Sequence, residues 1–583
     1  MTTNFTWRAR HALLYLPFTV CAVIATGCAH TPTTWTPDSV QPPPLAATSI
    51  ASPTPLNEQA VKLQVPEGVD EAGAALPVTR DGAILTGLLG NRFIEVARFG
   101  PEIDATYFDE ARASFDPRIL ARVSTGRERA LDTSYEQSAN TDSNTGGSET
   151  SSVQRLLTQV QNLNRNINAL GKGDRISTIT NTGSVEVEQW LPTGTLLFLT
   201  GGAQEADNDG DGVEKAWTVG VSQPLLRGAN MRANLAGLRQ ARNIAAQSEH
   251  QFRQNVMDVV RQIELTYWEL TLAREVLGIR RFGVGLAEQQ VSREEDLKAV
   301  GKAVRGDVMT ANAERAAREA DLADALAVWE SQTIELIRLM HPSDTPRWDL
   351  SLEPQDPAQV VELETNAGES EELALLFRPE LAQARLTIAN LELDVLQTGN
   401  ERLPRLDVVG AYGDGRSSNT STGVIVGGFN DTESYSIGLE FETAIPNRAE
   451  NARHRRAKLE NRRGEGALVQ LEENIAAEVR RAIIEVTRQW QRLAATAEAV
   501  LSREEAVRVV QGRREVGMAT NLDVLQVERD FIESQVDDAT ARVRYIQALT
   551  QLYAAEGTLL ERRGISMEAV NEHKETLGTP TYE

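Results

Sequence analysis

The sequence predicts an α+β chain in which two internal repeats each run from short strands into a very long helical hairpin. Three observations predict it. Leu, Val, Ile and Ala recur at three- and four-residue spacing among Arg, Glu and Gln, without a proline, from about Met231 to Ala299 and again over about 450–515. Alternating apolar and small or acidic residues stand directly before each run, as in Tyr435-Ser436-Ile437-Gly438-Leu439-Glu440-Phe441-Glu442. Finally, anchor residues recur in order: Pro224 and Trp268 match Pro446 and Trp490 at an offset of 222, and Val300-Gly301, Ala303 and Asp307-Val308 match Val516-Gly517, Ala519 and Asp523-Val524 at an offset of 216. A shorter echo precedes each half, where Ala97-Arg98 and Pro117 match Ala384-Arg385 and Pro404 at an offset of 287.

Composition narrows the function. The 583 residues carry 59 basic and 83 acidic side chains, a net charge of −24, which argues against nucleic acid as a partner. Aromatics make up only 5%, as suits extended helices better than a thick globular core. Both cysteines, Cys21 and Cys28, fall in the first 30 positions, so the rest of the chain has no disulfide, thiolate metal site or Cys nucleophile. With six scattered histidines and no phosphate-binding loop or triad spacing, neither an enzyme nor a cofactor or metal site is expected.

Taken in order, residues 1–27 read as an export signal, with Arg8 and Arg10 ahead of a short apolar run from Ala12 to Ala25. Ala25-Thr26-Gly27-Cys28 resembles a bacterial lipobox, making Cys28 the expected lipidation site; a plain signal with an incidental cysteine is the alternative. Residues 28–80 are a proline-rich tether and 81–116 a first helical segment. Residues 117–224 hold strand-like stretches at Ile119–Thr125, Ser184–Trp190, Thr195–Thr200 and Lys215–Ser222, with a Ser-, Thr-, Asn- and Gly-rich loop over 130–180. Residues 225–340 form the first helical hairpin, turning at Val300-Gly301, and 341–372 an irregular equatorial insert. A helix at 373–402, strands at 403–445, the second hairpin at 446–562 and a tail at 563–583 complete the chain. One strand alone is compatible with a soluble sandwich, but export signal, lipobox and polar loops together fit a transmembrane barrel with a polar lumen.

The order of Gln223-Pro224-Leu225-Leu226-Arg227-Gly228, Tyr267-Trp268, a Val-Gly turn and Asp307-Val308 is similar to that of the TolC-type outer-membrane efflux proteins. Arg378-Pro379-Glu380-Leu381, Leu403-Pro404, Ala444-Ile445-Pro446 and Val516-Gly517 with Leu522-Asp523-Val524-Leu525-Gln526 repeat the pattern, and the resemblance spans roughly residues 80–560. It implies a homotrimer whose protomers share one transmembrane β-barrel, continued by a long periplasmic α-helical barrel. It further implies a passive conduit in the outer membrane that works with a periplasmic membrane-fusion adaptor and an inner-membrane pump. Ala29 follows the lipobox cysteine where an Asp would suggest inner-membrane retention, so the lipobox resemblance implies outer-membrane sorting.

The resemblance assigns the helix tips, Val300, Gly301, Val516 and Gly517, to adaptor contact, whereas helix termination alone also explains the glycines. It assigns Asp523 and Gln526 to the periplasmic aperture, while Asp523 at the first turn of a helix also reads as a cap. It implies two strands before the first long helix, where this chain has over 100 residues. Both flanking helices must lie in the periplasm, so two or four crossings are allowed; four are expected, with two crossings plus an external hairpin as the alternative. The helix partnering the first long one is expected to be 307–340 stacked on 371–400. Asp207 to Gly212 matches half of a calcium loop, but its twelfth position is Thr218, so a solvated acidic turn is expected. A periplasmic structural lipoprotein without channel activity remains the alternative function.

Overall fold

The computed structural model describes residues 76–131, 175–207, 212–341, 348, 350–418, 430–567 and 570. The signal segment, Cys28, almost all of the tether and positions 208–211 of the acidic turn lie outside them.

The chain opens with β1 (Leu76–Val78), α1 (Arg80–Gly90) and α2 (Arg92–Ala113), followed by β2 (Arg118–Leu131), β3 (Arg175–Trp190), β4 (Leu196–Asp207) and β5 (Gly212–Pro224). Then come α3 (Met231–Asn234), α4 (Ala236–Ala299) and α5 (Arg305–Met340). After β6 (Leu352–Pro354), α6 (Ala367–Phe377) and α7 (Pro379–Glu401) lead to β7 (Arg405–Ser418) and β8 (Asn430–Glu442). The chain then runs through α8 (Arg448–Glu515), α9 (Asn521–Ala555) and α10 (Leu559–Arg562). At 64 and 68 residues, α4 and α8 are each about 100 Å long. No described helix is long and apolar enough to cross a membrane.

Several boundaries differ from the sequence expectation, each for a local reason. The segment 81–116 is two helices, because Asn91 takes an extended backbone and its side chain accepts from the N–H groups of Phe93 and Ile94. The run from Met231 breaks at Leu235; Asn234 turns its amide to the carbonyls of Pro192 (3.1 Å) and Gly228 (2.7 Å). The helix expected at 373–402 starts at Ala367 and is split at Arg378, which is extended because Pro379 follows it. Strands β2 and β3 reach into the two ends of the expected 130–180 loop. The tail expected from residue 563 begins as core: Arg563 clamps the fully buried Glu264 carboxylate, and Ile565 and Val570 are buried.

The stacking of half-length helices also differs. The N-terminal part of α4 packs on α2 and α7, and its C-terminal part on α5 and α9. Helix α7 continues the column of α9, where Arg378 Nη1 donates to the Ala555 carbonyl (3.2 Å). Helix α2 continues that of α5, where Asn91 Nδ2 donates to the Leu339 carbonyl (2.8 Å). The expected stack of 307–340 on 371–400 is therefore replaced by two others of nearly equal length, which length alone could not tell apart.

At the level of these joints the main core gathers Ile84, Val260, Ile263, Tyr267, Leu336, Met340, Leu352 and Leu560. The equatorial insert is held by two tyrosines. The Tyr267 hydroxyl donates to Asp356 Oδ2 (2.8 Å), and that of Tyr545 donates to the Val361 carbonyl (2.8 Å).

Strands β2 to β5, β7 and β8 form one six-stranded sheet in the order β2-β3-β4-β5-β7-β8, antiparallel throughout. Directly opposed residues share a face. One row of successive partners reads Ile119, Val187, Leu199, Val219, Tyr412, Tyr435 across all six strands. The adjacent row, on the other face, reads Leu120, Glu186, Thr200, Thr218, Gly413, Ser434. The first row is thus apolar from edge to edge and the second mainly polar; the next row on the first face, Ala121, Val185, Gly201, Trp217, Asp414, Glu433, turns acidic on β7 and β8, while Ile437 (85% exposed) and Leu439 (73%) stand uncovered on that face.

Candidate functional site: the helix tips

Both long hairpins reverse through the same device. Helix α4 ends at Val300 and α8 at Val516, and in each case the following glycine takes a left-handed backbone, φ +74° at Gly301 and +78° at Gly517. Nothing lies within 4 Å of the position a Cβ would occupy at either glycine, so the requirement is conformational and not steric crowding. Val300 (68% exposed) and Val516 (69%) project into open space, with Val304, Met518 and Leu522 as further exposed apolar side chains beside them.

The returning helices start with carboxylate caps. In α9, Asp523 Oδ2 accepts from the Thr520 hydroxyl (2.7 Å) and N–H (2.8 Å), while the Asp523 N–H donates back to Thr520 Oγ1 (3.2 Å). These bonds hold the Asp523 carboxyl below the usual carboxylate value. In α5 the matching Asp307 accepts from the Val304 N–H (3.1 Å), but valine offers no oxygen in return, so only half the box forms. Asp523 and Gln526 are both exposed, one turn apart on α9. The capping reading of Asp523 therefore holds in the structure, and its exposure leaves the aperture reading compatible with it.

Just behind the tips the two hairpins are tied by a polar cluster. Arg514, near the end of α8, is ion-paired to Glu294 of α4, a side chain only 1% exposed. Gln290 donates to Glu294 (2.9 Å) and to Asn521, joining α4 to the start of α9. Gln511 Nε2 donates to Glu528 (3.0 Å), whose carboxyl is pushed up by burial. Arg318 of α5, with its side chain 6% exposed, pairs with Glu314. These residues bring both tips to one end of the molecule, side by side. Sequence reasoning passed over the cluster, although a signal was present: Gly283, Ala287, Gln290 and Glu294 fall on one helical stripe, so Gln and Glu occupy its core-facing positions.

A sheet with an apolar row across all six strands, joined to long helices that reverse at paired tips, is a fold shared with solved outer-membrane channels. The chain is similar to the Campylobacter jejuni CmeC outer membrane channel, with a TM-score of 0.60 at 14% identity over 86% of this chain and 90% of that one. It is also similar to the outer membrane protein VceC from Vibrio cholerae (TM-score 0.57, 15% identity, 82% and 96% covered) and to the open state of the Neisseria gonorrhoeae MtrE outer membrane channel (0.54, 16%, 84% and 91%). The resemblance read from the motifs is shown in sequence as well: residues 372–558, essentially the second repeat, match the outer membrane efflux protein family. A proteases secretion protein, PrtF of Dickeya chrysanthemi, is 22% identical over 362 residues, 60% of this chain and 74% of that protein.

Proposed function

We propose that the chain is a subunit of an outer-membrane channel, a passive conduit that carries solutes or secreted polypeptides from the periplasm to the exterior. The observation that carries this reading is the apolar row crossing all six strands, backed by a polar row on the other face. A sheet of this pattern with two open edges is stable in lipid only when closed into a barrel. Three copies would close it and continue it as a helical tube into the periplasm, with Cys28 lipidated in the inner leaflet of the outer membrane. Energy would come from an inner-membrane pump, reached through a membrane-fusion adaptor that docks on Val300, Gly301, Val516 and Gly517. Symmetry would gather Asp523 and Gln526 of the copies around the aperture, where like charges attract cations. Purified protein added to planar bilayers tests the reading: discrete, cation-favouring conductance steps are expected, and an electrically silent protein correctly inserted in the bilayer would contradict it.

A further inference from the structure

The two repeats are unequal at the sheet. Pro117 stands before β2 as its echo Pro404 stands before β7, and Pro224 closes β5 where its counterpart Pro446 follows β8. By this alignment β2 and β5 correspond to β7 and β8, and the hairpin β3–β4 has no counterpart in the second repeat. It does not lie apart from the sheet. Strand β3 pairs with β2 from Arg175 to Glu188, and β4 pairs with β5 from Leu196 to Ala206. Its Val187 and Leu199 continue the apolar row, and its Glu186 and Thr200 the polar one.

The turn of the inserted hairpin is built into the junction between sheet and helices. Gly194 there has φ +80°, and a Cβ on it would fall 2.1 Å from the Gly228 carbonyl. Asn234 bridges the carbonyls of Pro192 and Gly228, and Thr195 Oγ1 donates to Gln223 Oε1 (2.5 Å). The same Asn234 ends α3 at the break before α4, a break that α8 lacks. The helix entry of the first repeat is thus built around the extra turn.

Resting on the channel reading above, we propose that β3–β4 is a pair of additional barrel staves, so that three copies close an eighteen-stranded wall through seams between β8 of one copy and β2 of the next. The sheet order leaves β2 and β8 as its free edges, and an even number of alternating strands makes those edges antiparallel across a seam. Their unpaired N–H and C=O groups have no water to turn to in lipid, so a second copy of this chain is the occupant. At about 4.8 Å between strands and a tilt of about 40°, eighteen strands span about 36 Å between backbones, against about 24 Å for twelve. The mouth is thereby about twice as large in cross-section as four strands per copy would make it.

The test labels single cysteines with a nitroxide in a Cys21→Ser, Cys28→Ser background, in proteoliposomes. Contact with oxygen and with a water-soluble nickel complex is read at Val185, Val187 and Leu199, at Ser184, Glu186 and Thr200, and at Ile437 and Leu439 of β8 as controls. The expected result is lipid contact at the first three and at the controls, and water contact at the second three. Water contact at all six hairpin positions, with controls in lipid and a trimeric mass, would overturn the proposal while leaving the channel reading intact. Water contact at the controls too would defeat both. Deletion of residues 132–211, which joins β2 to β5 directly, gives a second readout: end-on electron-microscopy averages should contract by about a third, and an unchanged diameter would also overturn the proposal.

Discussion

Glu294 and Arg514 form an ion pair between the two long hairpins, with Glu294 almost fully buried and Arg514 three residues before Gly517. It fixes one tip against the other. Removing one partner leaves the other charge buried and unpaired, a change of about 3 kcal/mol or more. Arg514→Ala is therefore expected to raise amide hydrogen exchange near residues 290–298 and 511–525 by about a hundredfold or more. The Glu294→Leu, Arg514→Leu double variant should recover much of the protection. Unchanged exchange in the single variant would remove the pair from the account of tip order.

The cap formed by Asp523 and the aperture role proposed for it are separable, and its neighbour Thr520 separates them. Thr520→Ala removes the two cap bonds of the hydroxyl but leaves the carboxylate and the backbone N–H it accepts from, so the tip should melt at lower temperature with divalent block of conductance intact. Asp523→Ala should do both: loosen the tip and weaken divalent block while raising conductance. An unaltered block in Asp523→Ala would leave only the cap.

The acid response of the tip follows from the direction of the Asp523 shift. Its folded value lies below its unfolded one, so the cap contributes fully above the unfolded value of about 4 and fades as pH falls through the folded one. Glu528 runs the other way, since burial raises its folded value and its ionisation costs stability as pH rises through it. Thermal melts of Asp523→Asn and native protein should therefore differ at pH 7 and converge as the pH falls through the folded value. A constant difference across that range would contradict the assignment.

Gly301 and Gly517 test whether the tips need left-handed backbone. Alanine there meets no neighbour, so its whole cost is backbone strain of about 1 kcal/mol per site. Both single variants should keep the helical circular dichroism of the native protein yet bind the adaptor more weakly in a pull-down. Full adaptor binding by a Gly301→Ala, Gly517→Ala double variant would mean that the turns only end helices.

What could be read before the structure was whatever leaves a periodic trace. The 3.6-residue pattern marked α4, α5, α8 and α9 to within a few residues, and period-two alternation marked β5 and β8. Breaks written by single side chains escaped it: Asn91 caps α2 inside one apparently continuous helical run, and Asn234 acts through the carbonyls of Pro192 and Gly228, partners that no periodic pattern announces. Column order escaped as well, because α2 and α7 are interchangeable by length and only contacts such as Arg378 to Ala555 choose between them. At the tips, the Val-Gly turns and Asp523 were legible from the duplication, whereas the Glu294–Arg514 tie joins positions that the repeat does not relate.

Subunit stoichiometry bears most directly on the central claim, because one six-stranded sheet with open edges at β2 and β8 cannot line a pore by itself. The decisive measurement is the mass of the purified protein in mild detergent, by light scattering corrected for bound detergent or by native mass spectrometry. The expected result is three chains per particle, stable to dilution. A predominantly monomeric particle, soluble once any lipid on Cys28 is removed, would contradict the channel.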